Sequence, residues 1–379
     1  MRIVMFYHSL VSDWNHGNAH FLRGVVTELL ALGHSVDVFE PANGWSRKNL
    51  LRESGLGAIT TFHRAYPGLQ SRLYDFPTLD LDRELDGADL VLVHEWNEPR
   101  LVKAIGRHRA ASGGYHLLFH DTHHRSVTDR EQMARYQLHH YDGVLAFGEV
   151  IRRRYLEEGW AERVWTWHEA ADVRVFRPRP AQAHLGNVVW IGNWGDEERT
   201  AELEEFLISP VEELRLTARV HGVRYPRAAR TRLREAGISY RGWLPNYLAP
   251  EVFAAFSLTV HIPRRPYVEA LPGIPTIRVF EALACGIPLI CSPWEDAEGL
   301  FSPGSDYLIA KTGKEMRQLM ADLLSDRDAA HAMATRGRQT ILGRHTCGHR
   351  VDELLGIVEE LKPERVRGHR KEIPVEMLK

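Results

Sequence analysis

The stretch Leu271–Pro293 reads LPGIPTIRVFEALACGIPLICSP, and it decides how the rest of the chain is read. Pro272 and Pro275 stiffen the backbone, Gly273 permits close approach, and Pro275 or Thr276 opens a patterned helix that ends at Ala-Cys-Gly. The short apolar run that follows reads as a strand. The first N–H groups of such a helix have no partner inside it and carry about half a positive charge, so its mouth is a seat for an anion. Arg278 adds a forked donor in the first turn, and Glu281 further along suits the paired hydroxyls of a ribose. A diphosphate joined to a nucleoside would satisfy the whole set. Replacing Arg278 or Glu281 is then expected to weaken that binding and spare stability. The plainer alternative is a loop punctuated by prolines, with Arg278 solvated and paired to Glu281.

Outward from this helix, short apolar strands alternate with helices. RIVMFY is a buried strand, HSLVSDWNHGN a polar loop, and Phe21, Leu22, Val25, Val26, Leu29 and Leu30 recur at helical spacing until Gly33. SVDVFEP resumes as a strand, completing a βαβ unit with parallel strands. DLVLVHEW, YHLLFHDTHH, GVLAFG and RVWTW follow, separated by helices over NEPRLVKAIGRHR, near Asp129–His140 and near Val150–Gly159. The pattern breaks at ADVRVFRPRPAQAHLG, where a linker is expected over 172–186. It restarts with NVVWIG, LRLTARVHG, ISYRGW, LTVHIP and IPLICSP, and three helical segments close it between Thr312 and Leu361. The expected class is α/β: two Rossmann-like, doubly wound parallel-sheet domains, 1–171 and 187–360, with a tail at 361–379. Ligands of open parallel sheets sit beyond the carboxyl ends of the strands, so both domains face a central cleft.

Charge and composition narrow the function. Lys plus Arg, 48, nearly cancels Asp plus Glu, 50, so no global field favours nucleic acid. No stretch approaches the roughly 18 apolar residues of a membrane span, and the opening MRIVMFYHSL is too short for a secretory signal; a cytoplasmic protein is expected. Cys285, Cys291 and Cys347 form no disulfide framework and read as buried free thiols. Arg152–Arg154 and the stripe Arg227, Arg230 and Arg234 read as solvated faces, with peripheral membrane contact as the alternative.

FEALACGIPLICSP, followed by an acidic turn and GSDYLIA, resembles the donor-binding segment of two-domain GT-B glycosyltransferases, especially family-4-like enzymes and their CgeB-like branch. GHSVDVFEP is similar to their first βαβ unit, LLFHDT to the acceptor-side histidine loop, and EAADVRVFRP to the interdomain linker. VVWIGNWGDEERT is similar to the first strand of the second domain, and ISYRGWLP to the loop that frames the base. The resemblance runs from about residue 2 to 355. It implies transfer of a sugar from a nucleotide-diphosphate sugar, UDP- or GDP-linked, to a small-molecule, glycan or lipid-linked acceptor, without cofactor or metal.

Residue by residue, the resemblance implies that Glu281 contacts the ribose and that its companion glutamate should stand at 273, where this chain has Gly273. That leaves the sugar and the stereochemistry open, with Glu269 as a carboxylate that reaches in from the loop. Gly273, Ile274, Pro275, Thr276 and Arg278 form the helix mouth; Gly192, Trp194 and Arg199 the phosphate-facing loop; Trp243 and Leu244 the base frame. Arg264 and Arg265 clamp phosphate or acceptor, one of the two being structural. His120 lies near sugar and acceptor with Asp121 beside it, and His16, Gly17 and Asn18 form the first acceptor-side loop. An imidazole there can relay the acceptor proton through an oxocarbenium-like step. The rivals are a GT-B epimerase, which needs no acceptor, a non-catalytic sugar-nucleotide binder, and a metal hydrolase built on His120, His123, His124 and Asp121 with His139 and His140 nearby.

Overall fold

The computed structural model of the chain describes residues 1–180 and 183–362, and its strands pair into two wholly parallel sheets. In the first, β1 (Arg2–Phe6), β2 (Ser35–Pro41), β3 (Ser71–Tyr74), β4 (Leu90–His94), β5 (His116–Asp121), β6 (Gly143–Ala146) and β7 (Val164–Thr166) run in the order β3-β2-β1-β4-β5-β6-β7. In the second, β8 (Gly186–Ile191), β9 (Ala218–His221), β10 (Ile238–Tyr240), β11 (Phe256–His261), β12 (Leu289–Cys291) and β13 (Leu308–Ile309) repeat the scheme as β10-β9-β8-β11-β12-β13. Central strands such as LVLVH of β4 are buried on both faces, which is why they read as unbroken apolar runs. Strand order reverses at β1/β4 and at β8/β11, so the loops leaving those strands open a crevice in each domain.

The helix Ala19–Ala31 ends where expected: Gly33 takes φ +83°, and the N–H groups of Gly33 and His34 return to Leu30 and Leu29. Several elements between β2 and β4 escaped the sequence, among them a helix and a strand. The helix Trp45–Ala65 buries only Leu50 and Phe62 among its apolar side chains and is kinked at Gly55, so it shows little periodicity; β3 beyond it is a short edge strand. The single helix expected near 129–140 is a short helix, Arg130–Arg135, and a 3-10 turn, Leu138–His140, broken where Gln137 takes φ +54°.

The domains meet through side chains as well as through the crossing. Leu271 and Ile274 of the second domain lie in the first domain's apolar cluster with Phe147 and Tyr155. The helix Cys347–Leu361, capped by Thr346, returns to the first domain, where Arg350 O accepts from Trp167 Nε1 (2.8 Å) and Glu360 from Trp165 Nε1 (3.0 Å). This helix thus packs on the first domain, and the tail from 363 onward lies outside the described residues. The three cysteines are free and buried. Among the described residues no helix is long and apolar enough to cross a membrane.

Candidate functional site in the interdomain cleft

The helix of the opening stretch is Ile277–Cys285, closed by Gly286 in the left-handed conformation. Thr276 is its N-cap in extended backbone, but its hydroxyl bonds His261 Nε2 at 3.0 Å and does not cap the helix. Gly273 takes φ +91°, and a Cβ there would lie 3.1 Å from Glu298 Cγ. The side chain absent at 273 is thus replaced in space by Glu298, which accepts from Glu149 N (2.8 Å) and bonds His168 (2.8 Å), both in the first domain. Glu269 is exposed on the short helix Arg265–Glu269 and does not supply the missing carboxylate. Ile274 and Pro275 are buried, Ile274 against Gly148.

Glu281 is fully buried and shared between domains. Its Oε1 accepts from His20 Nδ1 (2.9 Å) and Asn246 Nδ2 (2.7 Å), while Oε2 pairs with Arg278. His20 Nε2 accepts the Asp172 N–H at 2.7 Å, so its proton resides on Nδ1 and is donated to Glu281. Burial alone would push the Glu281 carboxyl up, but Arg278, with His20 and Asn246, holds it below its usual range. A second bond set runs parallel: Asp13 accepts from Trp243 Nε1 (3.0 Å), Asn246 N (2.9 Å) and Arg23 Nη1 (2.9 Å). In this closed arrangement the hydrogen bonds of Glu281 are all directed to protein groups.

Cations collect at the carboxyl ends of β8 and β11. Arg199 donates to Asn193 O (2.6 Å) and Ile262 O (2.8 Å) and lies over the Trp190 ring at 5.1 Å. Burial, then Arg264, pushes its guanidinium down to about 9. Arg264 pairs with Glu198 at 2.9 Å, whereas Arg265 faces outward to Glu202. His261 is pushed down to about 3 by burial, then by Arg199 and Arg278. Trp194, expected on the donor side, is instead packed edge-on against Tyr225 in the second domain's core. Gly192, Leu244 and the half-buried Trp243 line a slot of about 40 Å³ together with His16, Gly17 and Arg278. Gly17 touches the helix mouth so closely that a Cβ would lie 2.6 Å from Ile277 Cγ2. A slot of about 40 Å³ holds a few waters at most and is too small for a nucleotide.

Beside the slot is a cavity of about 590 Å³, walled by Trp45, Tyr74, Phe76 and Trp96, with His8 and Arg224 on its polar side. No motif marked these aromatic residues. They are gathered from the ends of β2, β3 and β4, which sequence distance conceals.

His120 is the penultimate residue of β5 and is 1% exposed. Its Nδ1 bonds Tyr7 OH at 2.8 Å, its Nε2 has no partner among the described residues, and burial pushes it down to about 3. Asp121 is corrected. Successive strand residues face opposite ways, and its carboxyl accepts from Tyr155 OH (2.8 Å) and His123 N (3.0 Å) in the interior, where burial pushes it up to about 6. Asn18 donates to Thr122 and ties the first loop to the β5 loop without capping its helix.

Several other histidines bond protein groups: His8 to His16 (2.7 Å), His94 to Thr122 (3.0 Å), His124 to Thr128 (2.9 Å). Among the described residues no group of three or more His, Cys, Asp or Glu converges as a metal site. Instead these rings are held neutral. His16 and His120 are pushed down to about 3, and His124, His221 and His345 to about 4, each chiefly by burial. The unfolded chain takes up these protons near pH 6.5, so it binds more protons than the fold below that value and stability is lost as pH falls. Each ring removes at most about 1.4 kcal/mol per pH unit. Glu95 and Glu169, pushed up to about 8 by burial, act in the opposite sense but are fewer. The melting temperature is expected to drop steadily from about pH 6.5 to about pH 5; a flat profile would show that the rings titrate normally.

Comparisons with known proteins agree with this fold. The sequence profile of the glycosyl transferase-like family matches residues 199–356. No curated protein matches the sequence significantly. The fold is similar to that of sucrose-phosphate synthase from Thermosynechococcus elongatus (TM-score 0.64, 15% identity, covering 95% of this chain and 99% of that one). It is similar to Anabaena HepE solved with UDP and glucose (TM-score 0.68, 13% identity, 95% and 99% coverage). It is also similar to an alpha-glucosyltransferase solved with UDP (TM-score 0.67, 11% identity, 95% and 100% coverage).

Proposed function

We propose that this chain is a GT-B glycosyltransferase that uses a nucleotide-sugar donor, a reading supported by the family match and the UDP-bound neighbours. The donor's diphosphate sits against the mouth of helix Ile277–Cys285 between Arg199 and Arg278, and its base lies under Trp243 and Leu244. The observation that carries this is the convergence of Arg199, Arg264 and Arg278 on the ends of β8 and β11, with Arg199 bonded to carbonyl oxygens and not to a carboxylate. Such fixed donors stabilise a departing diphosphate without a metal ion, so we assign a metal-independent, cofactor-free, family-4-like enzyme. Its free, buried thiols suit the reducing cytoplasm.

The acceptor occupies the aromatic cavity of about 590 Å³ in the first domain, whose polar side carries His8 and His16 next to the slot. The slot of about 40 Å³ requires a hinge in the crossing after β7 to open for the donor and close over it. His120 stands on the first-domain side, where a neutral imidazole can hydrogen-bond the sugar or take the acceptor proton.

A thermal-shift panel of UDP, GDP, ADP, CDP and TDP, each with and without EDTA, tests the reading. One diphosphate at about a hundred times its Kd is expected to add about 2.7 kcal/mol of stability, undiminished by the chelator. No shift with any of the five would remove the donor cleft, and a shift abolished by EDTA would remove metal independence.

A further inference from the structure

Glu169 lies three residues beyond β7, where the chain starts its crossing between domains, and is 3% exposed. Its carboxyl faces the Ile277 N–H at the mouth of helix Ile277–Cys285, and its Oε1 has no hydrogen-bond partner among the described residues. The titratable groups facing it are Arg278 and Glu281 from that helix and Tyr267 from the helix Arg265–Glu269. Arg278 is already paired with Glu281, so it does not neutralise a second carboxylate. A buried carboxylate kept for structure alone would have both oxygens bonded. This one leaves Oε1 without a partner where a helix N-terminus attracts an anion.

We propose that Glu169 contacts the donor's phosphate at this helix mouth, and that the proton it holds or lacks decides whether the mouth accepts an anion. The inference rests on the mouth being the diphosphate seat. A protonated Glu169 offers an O–H to a phosphate oxygen, a bond that strengthens as the departing diphosphate gains charge. An ionised Glu169 places like charge beside the phosphate in a site with little water to screen it, and repels it. Burial, then the Glu281 charge, pushes the Glu169 carboxyl up to about 8 against the pull of Arg278, so the protonated form prevails at neutral pH. The residue comes from the first-domain side and the helix from the second, so contact between them forms only while the domains are together.

The test is calorimetric titration of UDP, and of GDP in parallel, into the full chain and Glu169→Gln from about pH 7 to about pH 9.5, a range above the phosphate's own titration near 6. Wild-type affinity is expected to fall by up to about tenfold per pH unit above about pH 8. Glu169→Gln, which keeps a donor and never ionises, should show only the shallower fall near pH 9 that Arg199, pushed down to about 9, contributes in both proteins, and Glu169→Asp should retain the steeper slope. Clear binding with parallel profiles for wild type and Glu169→Gln overturns the role of Glu169 while leaving the cleft reading intact. Failure of both nucleotides to bind either protein at any pH removes the seat and the proposal with it. The free Glu169→Gln protein should melt no lower than wild type at about pH 9, since it no longer buries an ionised acid. If that variant does not fold, a pH-independent wild-type affinity is sufficient to overturn the proposal.

Discussion

Glu281→Ala is expected to lower the melting temperature of the free protein by roughly 5–10 °C, the consequence of losing about 3–5 kcal/mol when one member of a buried ion pair is removed. Three groups lose their acceptor at once: the Arg278 guanidinium, His20 Nδ1–H from the first domain, and the Asn246 amide. His20 is itself fixed by the Asp172 N–H, so the damage reaches the crossing between domains. This reverses the expectation drawn from sequence, where replacement of Glu281 spares stability. Differential scanning calorimetry with UDP titration decides between them. An unchanged melt with lost UDP affinity would return Glu281 to the ribose; a lower melt with UDP affinity retained would make it solely a clasp between domains.

His120→Ala is expected to slow sugar transfer by about 10²–10⁴-fold while leaving UDP affinity within about twofold. His120 makes one bond, to Tyr7 OH, and its other ring nitrogen has no protein partner among the described residues. Burial keeps the ring neutral, which is the form able to accept a proton. Single-turnover transfer and UDP calorimetry on the same variant separate chemistry from binding. Normal turnover would restrict His120 to packing among Tyr7, His94 and Trp167. Asp121 serves as the contrast: Asp121→Asn should change stability more than transfer, because its partner is Tyr155 in the interior.

Elements with strong periodicity or unbroken apolar runs were readable in advance. β1, β4 and β5, the helix Ala19–Ala31 and the helix Ile277–Cys285 announce themselves because both faces of a central strand, or one face of a helix, must be apolar. Trp45–Ala65 did not, because its mostly exposed surface leaves few apolar positions to count. Among candidate site residues, Gly17, Gly192, Arg199, Leu244, Arg278 and the helix mouth gather around one slot or its rim, as their loop positions imply. Asp121 was misplaced because it follows His120 on β5, where successive residues face opposite ways, whereas Trp194, in the loop after β8, packs on Tyr225 in the second domain's core.

The sequence by itself determined the α/β class, the repeated parallel scheme and the helix whose N-terminus faces the cleft, because these depend on local period and on Gly and Pro constraints within a few residues. Only the tertiary structure decided which charges are free. Glu281 is consumed by His20 from 261 residues away, Gly273 yields its volume to Glu298, and Glu169, marked in the sequence only as the start of a linker motif, reaches the helix mouth with one oxygen unbonded. Pairing and desolvation are set by which groups meet across the two domains, and those distances have no counterpart in local sequence.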